Sequence, residues 1–389
     1  MAKPRLRIGL IGSGFMGKTH IFGFATANRV FDLPFDVVLE CIADATPQLA
    51  RQARDRFGFN RSADIWQDLA EDPDIDVLDI TAPNALHREM AIAGARAGKH
   101  VYCEKPLANN VAEALDMVAA AERAGVTTQL GFNYLSNPMF QLAGRMIAED
   151  RIGQPWSFRG IHAEDYMADA DTPWSWRHEY DGGGATADLG SHILATAEFL
   201  LGPIARVLGD MHTAITSRPA PGEKSRPVHV DDIGRALLRF ENGASGSIEA
   251  NWIASGQKMQ HAFEIHGSRG ALRFDQNRLN ELGHYEMADP QVSGFRTILA
   301  GPPHAPYGEF CVAPGHQLGY NDLKAIEIRG LVEAIAGLRD EPFGFRSGLR
   351  IQRLVEAIRN SADTGQWVET GWADPVPAIT GNGPGSQER

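Results

Sequence analysis

The sequence has 389 residues, enough for two domains, since single cores seldom grow beyond about 250 to 300 residues. Its 43% hydrophobic and 22% charged residues are typical of a globular protein and exclude a mainly disordered or fibrous chain. The formal net charge of -12 disfavours binding to phosphate backbones or anionic lipid, so we expect neither a nucleic-acid nor a membrane partner.

Apolar runs and cysteines indicate where the protein resides. No run reaches the roughly 18 to 20 apolar residues that cross a bilayer, and the first residues lead into a strand-like segment instead of a signal sequence. Cys41, Cys103 and Cys311 lack the spacing of a disulfide framework or a zinc site. We therefore expect a cytoplasmic protein with reduced thiols.

The first third of the chain alternates short β-branched runs with helical patterns. Strands are predicted over 6–11, 37–43, 77–81, 100–103 and 127–131. Between them, Thr46 before Pro47 marks a helix start, and Gly98 and Gly125 mark helix ends. Such alternation predicts an α/β fold with a parallel sheet covered by helices.

After about Asn137 the pattern changes to longer strands joined by turns. Strands are predicted over 233–240 and 244–251, where Asn242-Gly243 is a hairpin signal, and over 259–266 and 271–274. Three helices are predicted over 187–200, 322–338 and 347–362, and two long loops over 217–227 and 301–308. This part of the chain predicts an open, mainly antiparallel sheet, and residues 380–389 predict a disordered tail.

A glycine-rich segment follows the first predicted strand and opens a helix. Gly12, Gly14 and Gly17 have G-x-G-x-x-G spacing, in which the first glycine permits a tight turn and the second a close approach to a pyrophosphate. Its position after the first strand makes this pattern specific for a dinucleotide. The residues expected to contact it are Gly12, Ser13, Gly14, Phe15, Met16 and Gly17.

Asp44 ends the next strand, where an acidic side chain accepts hydrogen bonds from the adenosine ribose. It lies farther from Gly12 than usual, which we attribute to an inserted loop over 28–36. A 2′-phosphate beside this carboxylate would be repelled by about 1 to 4 kcal/mol at ~4 Å, so we expect NAD over NADP. Two alternatives stay open: Asp44 only caps the following helix, or Arg51 accommodates NADP.

Two further segments follow predicted parallel strands, at the sheet edge where α/β folds bind ligands. These are 81–87, which contains Thr81, Pro83, Asn84 and His87, and Glu104-Lys105-Pro106. With the glycine segment and the stretch 183–192, they closely resemble the Gfo/Idh/MocA family of oxidoreductases over nearly the whole chain. Stretches 157–160, 175–177, 295–297 and 304–308 are most similar to its sugar- and inositol-oxidising members.

This resemblance implies an N-terminal Rossmann domain over 1–134, a C-terminal α/β domain for substrate binding and oligomerisation over 135–375, and a flexible tail over 376–389. It implies a homodimer or homotetramer formed through the open sheet. The expected activity is NAD-dependent oxidation of a secondary hydroxyl of a sugar, anhydrosugar or inositol to a ketone.

Lys105, Asp188 and His192 are the predicted catalytic residues. Oxidation of a carbinol requires a base near the hydroxyl proton, and a lysine beside a cationic nicotinamide can lose its own proton. Asp188 and His192 are four residues apart, so the carboxylate is expected to orient the imidazole and favour its protonated form. The residues alone leave open which base acts first; the resemblance favours His192, with Lys105 holding the hydroxyl. The alternative is that Asp188 and His192 form an ordinary i, i+4 pair on a helix, without a catalytic role.

Other side chains are weaker candidates. Asn84 and His87 are expected at the nicotinamide or its ribose, and Glu104 is expected to order its loop. Further candidates, for the cofactor or for sugar hydroxyls, are Asn133, Tyr134, Asp165 and Arg177. By resemblance, His316 is expected to reach the site of a neighbouring subunit. Without an H-E-x-x-H motif or a cysteine cluster, no metal is expected.

Two other functions share these motifs. Some relatives use transient oxidation by retained NAD to cleave glycosides. A non-catalytic regulator would bind the dinucleotide without turnover, although such relatives usually lack the lysine and the histidine found here.

Overall fold

The computed structural model describes residues 3–287, 290–340 and 343–371. It contains a six-stranded and a nine-stranded sheet with helices, which confirms the predicted fold class. The predicted tail lies outside these residues. Within them, no helix is long and apolar enough to cross a membrane.

The first sheet is wholly parallel, in the order β3-β2-β1-β4-β5-β6. Its β4 is buried throughout, as expected for a strand that is covered on both faces. The elements are β1 (Arg5–Ile11), α1 (Phe15–Val30), β2 (Asp36–Ala43), α2 (Pro47–Phe57), β3 (Arg61–Ser62), α3 (Trp66–Glu71), β4 (Val77–Ile80), α4 (His87–Arg96), β5 (His100–Cys103), α5 (Val111–Ala124) and β6 (Thr128–Leu130).

The predicted helix ends in this part are confirmed. The Thr46 hydroxyl accepts a hydrogen bond from the Leu49 amide at 3.2 Å, with Pro47 in the first turn of α2. Gly125 ends α5 with a positive φ of 64°. Helix α1 extends to Val30, so the large spacing between Gly12 and Asp44 reflects a long helix more than the loop predicted over 28–36.

The second sheet has the order β16-β15-β14-β13-β7-β12-β11-β8-β17 and is antiparallel except for the β7–β12 pair. The predicted Asn-Gly hairpin joins β11 and β12. The elements are α6 (Pro138–Ala148), β7 (Pro155–Ala163), α7 (Ser191–Leu201), β8 (Ile204–His212), β9 (Ser217–Ala220), β10 (Glu223–Pro227), β11 (Ile233–Phe240), β12 (Ser245–Asn251), β13 (Gln260–Gly267), β14 (Gly270–Asp275), β15 (Glu281–Glu286), β16 (Arg296–Leu299), α8 (Tyr307–Phe310), α9 (Tyr320–Ile335), α10 (Phe345–Thr364) and β17 (Val368–Glu369).

The long loop predicted over 217–227 is wrong, because β9 and β10 form an antiparallel hairpin there. Its position depends on Arg218, whose buried guanidinium donates to the carbonyls of Met167 at 2.7 Å and Asp169 at 2.8 Å. A charged side chain that organises distant backbone leaves no apolar periodicity in the local sequence. The Pro- and Arg-rich composition therefore concealed this hairpin.

Helix α9 lies late in the chain but packs against the first sheet. Its Ile328 and Leu331 share a hydrophobic cluster with Phe24 of α1 and Tyr102 of β5. The same helix brings charged side chains behind the end of β5. Residues more than 200 positions apart therefore jointly support the Glu104-Lys105-Pro106 segment.

Candidate active site

The glycine loop lies between the ends of β1, β2 and β4. Gly12 has a φ of 98° and donates its amide to the Ala43 carbonyl at 2.9 Å. A Cβ on Gly17 would lie 2.1 Å from the Gly12 carbonyl oxygen, whereas a Cβ on Gly14 would meet nothing within 4 Å. Gly12 and Gly17 therefore allow the turn and its packing, and Gly14 faces open space.

Asp44 closes this loop from the end of β2. Its Oδ2 accepts hydrogen bonds from the Ser13 amide at 2.8 Å and from the Ser13 hydroxyl, and its Oδ1 accepts from the Ala45 amide at 2.6 Å. Arg51 pairs with Asp64 at 3.4 Å. The carboxylate thus lies against the glycine loop, where a bound ribose would replace or share its contacts with Ser13.

Other predicted residues surround the open side of the loop. Phe15 is 71% exposed at the start of α1, an unusual environment for phenylalanine, and the Met16 sulfur accepts from the Tyr320 hydroxyl at 3.8 Å. The Thr81 hydroxyl donates to the Gly12 carbonyl at 2.7 Å. These contacts hold the end of β4 against the glycine loop.

The two segments after β4 and β5 are braced by His87. Its ring lies between the Pro106 and Ala82 carbonyls, with each nitrogen 2.9 Å from an oxygen. The ring has no exposed surface, so the predicted contact of its side chain with nicotinamide or ribose is wrong. His87 instead fixes the spacing between the two ligand-binding segments.

Glu104 belongs to a buried network of charges behind Lys105. It accepts from His20 Nε2 at 2.8 Å, from Lys324 Nζ at 3.0 Å and from the Lys105 amide at 3.1 Å. Burial raises the pKa of Glu104, but Lys324 and His20 outweigh that effect and hold it well below its ordinary value. Glu104 therefore orders the Lys105 backbone, as the sequence predicts.

Lys105, Asp188 and Arg177 converge at one point. Lys105 Nζ lies 2.5 Å from Asp188 Oδ1 and 3.1 Å from the Asp188 carbonyl. Asp188 Oδ2 accepts from the Tyr166 hydroxyl at 2.7 Å and from Arg177 Nε at 3.2 Å. Burial raises the pKa of Asp188, but the positive charges of Lys105 and Arg177 outweigh that effect and hold the pKa well below its ordinary value. The side chain therefore remains a carboxylate.

The predicted orientation of His192 by Asp188 is wrong. The predicted helix over 187–200 begins as a π-helical turn, Thr186–Gly190, followed by α7, and both Asp188 oxygens are engaged by Lys105, Arg177 and Tyr166. Cationic donors outcompete a neutral imidazole for a buried carboxylate. A π-helical turn is a feature often found at functional sites.

His192 occupies an aromatic and histidine-rich environment. The ring lies 4.8 Å from Tyr134, 5.2 Å from Phe132 and 5.3 Å from His162 between centroids. Its Nδ1 is buried without a hydrogen-bond partner. Burial first, and then the charges of Lys105 and the neighbouring histidines, hold the pKa of His192 well below its ordinary value, so the protonated form expected from the sequence is not favoured.

The remaining candidates occupy varied positions. Pro83 and Asn84 line a cleft of about 370 Å³ together with Trp176 and Tyr180. Buried Asn133 has an amide nitrogen without a partner. Asp165 binds Lys258 at 2.7 Å and the Gly256 amide at 3.0 Å, and His316 lies on an exposed loop, so their contacts with substrate stay predictions.

Several residues at the site had no signal in the sequence. Tyr166 lies in a segment without periodicity, and Lys324 reaches Glu104 from α9. His162 and His261 occupy buried positions on strands β7 and β13, and the sequence analysis singles out neither residue. Only the neighbours of these residues in the folded chain indicate a role.

Comparison with known proteins places this geometry in a family. The model of the oxidoreductase family with an NAD-binding Rossmann fold matches residues 6–132, and that of the GFO/IDH/MocA C-terminal domain matches residues 140–273. The chain belongs to the Gfo/Idh/MocA family. Levoglucosan dehydrogenase of Pseudarthrobacter phenanthrenivorans is 39% identical over 383 residues, which cover 94% of this chain and 98% of that protein.

A solved structure and one further relative extend the comparison. The solved structure of levoglucosan dehydrogenase in complex with NADH and levoglucosan has a TM-score of 0.90 at 39% identity, covering 96% of this chain and 100% of that one. The NAD-dependent scyllo-inositol 2-dehydrogenase of Bacillus subtilis is 28% identical and covers 85% of this chain and 86% of its own length. As a Gfo/Idh/MocA member, this chain is an NAD-dependent oxidoreductase, and its open glycine loop fits that cofactor.

Proposed function

We propose that this protein oxidises a secondary hydroxyl of a sugar, anhydrosugar or inositol to a ketone. The observation that carries the proposal is the Lys105–Asp188 ion pair near a neutral His192, at the end of β5 and therefore at the same edge of the first sheet as the glycine loop. Lys105 supplies a fixed hydrogen-bond donor and His192 supplies a base. Levoglucosan and scyllo-inositol, the compounds in the names of two relatives, are polyhydroxylated rings, and we expect a substrate of similar size here.

The reaction divides between cofactor and protein. NAD, when bound, supplies the acceptor for the hydride that leaves the carbinol carbon. Lys105 holds the hydroxyl oxygen, and the hydroxyl proton passes to His192, so that the carbinol becomes a carbonyl and no other reactant is needed. Asp188, with Tyr166 and Arg177, keeps the Lys105 side chain in place.

His192 is the first proton acceptor in this proposal. Lys105 Nζ donates to both the carboxylate and the carbonyl of Asp188, which commits this side chain to the role of a hydrogen-bond donor. The low pKa of His192 leaves its imidazole neutral and able to take a proton. Arg177, Tyr134 and the cleft beside Trp176 would contact the remaining substrate hydroxyls.

We also propose the organisation expected from the sequence, with the division between domains at 134/135 and a homo-oligomer formed through the open sheet. One face of that sheet has a concavity of about 1010 Å³, whose lining includes charged Arg159, Glu249 and Glu264 and apolar Leu237. Light scattering of the purified protein tests this; a monomer at micromolar concentration would contradict it. Three free thiols agree with a cytoplasmic location.

One assay tests the activity against its alternatives. The purified protein is incubated with NAD or NADP and with levoglucosan, inositols, glucose stereoisomers or aryl glycosides, while NADH and released aglycone are followed. NADH formed in proportion to oxidised sugar supports a dehydrogenase. Aglycone without net NADH would instead indicate a glycosidase, and cofactor binding without turnover would indicate a regulator.

A further inference from the structure

Tyr320 lies between the glycine loop and the rings around His192. It is the first residue of α9, far along the chain from both. Its half-buried ring stacks with exposed Phe15 of the glycine loop at 6.3 Å between centroids and lies 6.1 Å from Tyr134. Tyr134 is in turn 4.8 Å from His192. Two tyrosine rings therefore connect the cofactor loop to the proposed base.

The Tyr320 hydroxyl has a weak partner on the glycine loop. It donates to Met16 Sδ at 3.8 Å, and a thioether sulfur is a poor acceptor. Burial raises the pKa of Tyr320, to about 12 with the opposing charge of Lys324 included, so the hydroxyl keeps its proton. A neutral phenol can both donate and accept, and this one can form a stronger hydrogen bond with a ligand than with sulfur.

Asn133 places a second polar group at the same point. After burial and three nearby charges, its side chain is the next group that acts on the pKa of Tyr320, which places the two side chains next to each other. Asn133 is only 2% exposed, and its amide nitrogen has no hydrogen-bond partner among the described residues. Buried donors in folded proteins nearly always have an acceptor, so this one points to a ligand that supplies it.

The bound dinucleotide has to pass these two side chains. In a Rossmann fold the pyrophosphate binds at the glycine loop, and the ligand extends across the carboxyl ends of the strands. In the proposed reaction its nicotinamide end meets the carbinol beside Lys105 and His192. A path from the loop to these residues runs beside Tyr320, which contacts the loop on one side and Tyr134 on the other.

The nicotinamide ring carries one polar substituent, a carboxamide. Its carbonyl oxygen only accepts hydrogen bonds, and its NH2 group donates them. Asn133 Nδ2 is a donor and matches the oxygen, whereas the Tyr320 oxygen can accept from the NH2 group. The pyrophosphate offers acceptors alone and would leave the accepting capacity of the phenol unused. The donor and acceptor at this point therefore fit the carboxamide.

We propose that Tyr320, together with Asn133, binds the carboxamide of the nicotinamide and so fixes the rotation of this ring toward Lys105 and His192. The proposal rests on the proposed function for the place where the ring reacts; binding of NAD itself is a property of the family. Holding the ring in one orientation favours hydride transfer, because the reacting carbons then meet in a productive geometry. Tyr320 contacts the cofactor and takes no part in moving the substrate proton.

Binding of NADH and ADP-ribose isolates this contact from the rest of the dinucleotide. ADP-ribose keeps the adenosine, the pyrophosphate and the second ribose but lacks the nicotinamide ring. In calorimetric titration, full-length Tyr320→Phe should bind NADH about 2- to 10-fold more weakly than wild type, as expected for one lost hydrogen bond, and ADP-ribose equally well. Tyr285→Phe, at another half-buried tyrosine on β15, is the matched control and should bind both ligands as wild type does.

Two results would overturn the proposal. Equal weakening of both ligands by Tyr320→Phe would show that Tyr320 only holds Met16 and the glycine loop in place. Unchanged NADH affinity would show that the hydroxyl does not contact the cofactor. No sugar is present in these titrations, so their outcome is independent of whether the protein oxidises a sugar, which the NADH and aglycone assay tests separately.

Discussion

Lys105 Nζ lies 2.5 Å from Asp188 Oδ1, and this ion pair joins the end of β5 in the first sheet to the π-helical turn before α7, which packs on the second sheet. Both side chains are only about one-sixth exposed, so water screens the pair weakly. The position of the reacting groups therefore depends on both halves of the fold.

Replacement of Lys105 tests the catalytic role most directly. Lys105→Met removes the donor to the substrate oxygen and leaves Asp188 with Arg177 and Tyr166 alone, so kcat should fall by at least ~100-fold. Steady-state kinetics with NAD and levoglucosan measure the effect. Lys224→Met, at an exposed lysine on β10, is the control and should retain normal activity. Equal activities of the two variants would contradict the assignment.

The glycine loop predicts different effects at two positions. Gly17→Ala places a Cβ 2.1 Å from the Gly12 carbonyl, so the protein should lose about 1 to 3 kcal/mol of unfolding free energy. Gly14→Ala meets no protein atom and should change stability by less than about 1 kcal/mol, yet weaken NADH binding about tenfold or more. Urea unfolding and NADH fluorescence titration separate the effects. A stable Gly14→Ala variant with normal NADH affinity would show that Gly14 does not face the cofactor.

Asp44 should determine the preference for NAD over NADP. Asp44→Ser removes the carboxylate that repels a 2′-phosphate. The ratio of kcat/KM for NAD to that for NADP should therefore fall by a factor that corresponds to about 1 to 4 kcal/mol. Ser13 also loses its acceptor, so the affinity for NAD should fall. Asp55→Ser, at the exposed partner of Arg54, is the control and should leave the ratio unchanged. An unchanged ratio would mean that Asp44 only holds the loop.

The parts of the fold that depend on local sequence could be predicted, and those that depend on distant residues could not. Thr46, Gly125 and the Asn-Gly turn act through backbone conformation within a few residues, so their patterns identify helix ends and a hairpin. By contrast, the Arg218 contacts that hold the β9–β10 hairpin join segments about 50 residues apart.

The residues of the candidate site likewise include some that the sequence could predict and some that it could not. Glycine spacing and a strand end indicated Gly12 and Lys105, whereas Asp188 and His192 were indicated by helical spacing and mainly by the resemblance to the family. The partner of Asp188 was predicted from helical spacing and proved wrong, because a cation from another element binds a buried carboxylate more strongly than a nearby neutral ring does. The role of Lys324 could not be predicted from the sequence either, since the pattern of its helix is that of any amphipathic segment.

The buried network behind Lys105 predicts a large loss of stability when its cation is removed. Lys324 donates to Glu104 at 3.0 Å and pairs with Glu327 at 2.7 Å, with none of its own surface exposed. Lys324→Met leaves both carboxylates without this cation, so unfolding free energy should fall by about 3 to 5 kcal/mol. Arg88→Met breaks an exposed pair with Asp116 and should cost under about 1 kcal/mol. Urea unfolding compares them; equal losses would contradict this account.

Glu104 gives the network a defined pH dependence. Its pKa is lower in the folded protein than its ordinary value of 4.5, so the carboxylate adds stability above that pH, which is lost as the pH falls through the folded value. The difference in unfolding free energy between wild type and Glu104→Gln should therefore be greatest above about pH 5 and shrink below about pH 4.5. Asp116→Asn, at an exposed pair, is the control and should differ little from wild type at any pH. Urea unfolding across this range measures both differences, and a Glu104→Gln deficit that grows toward acid would show that burial, rather than Lys324 and His20, dominates the environment of Glu104.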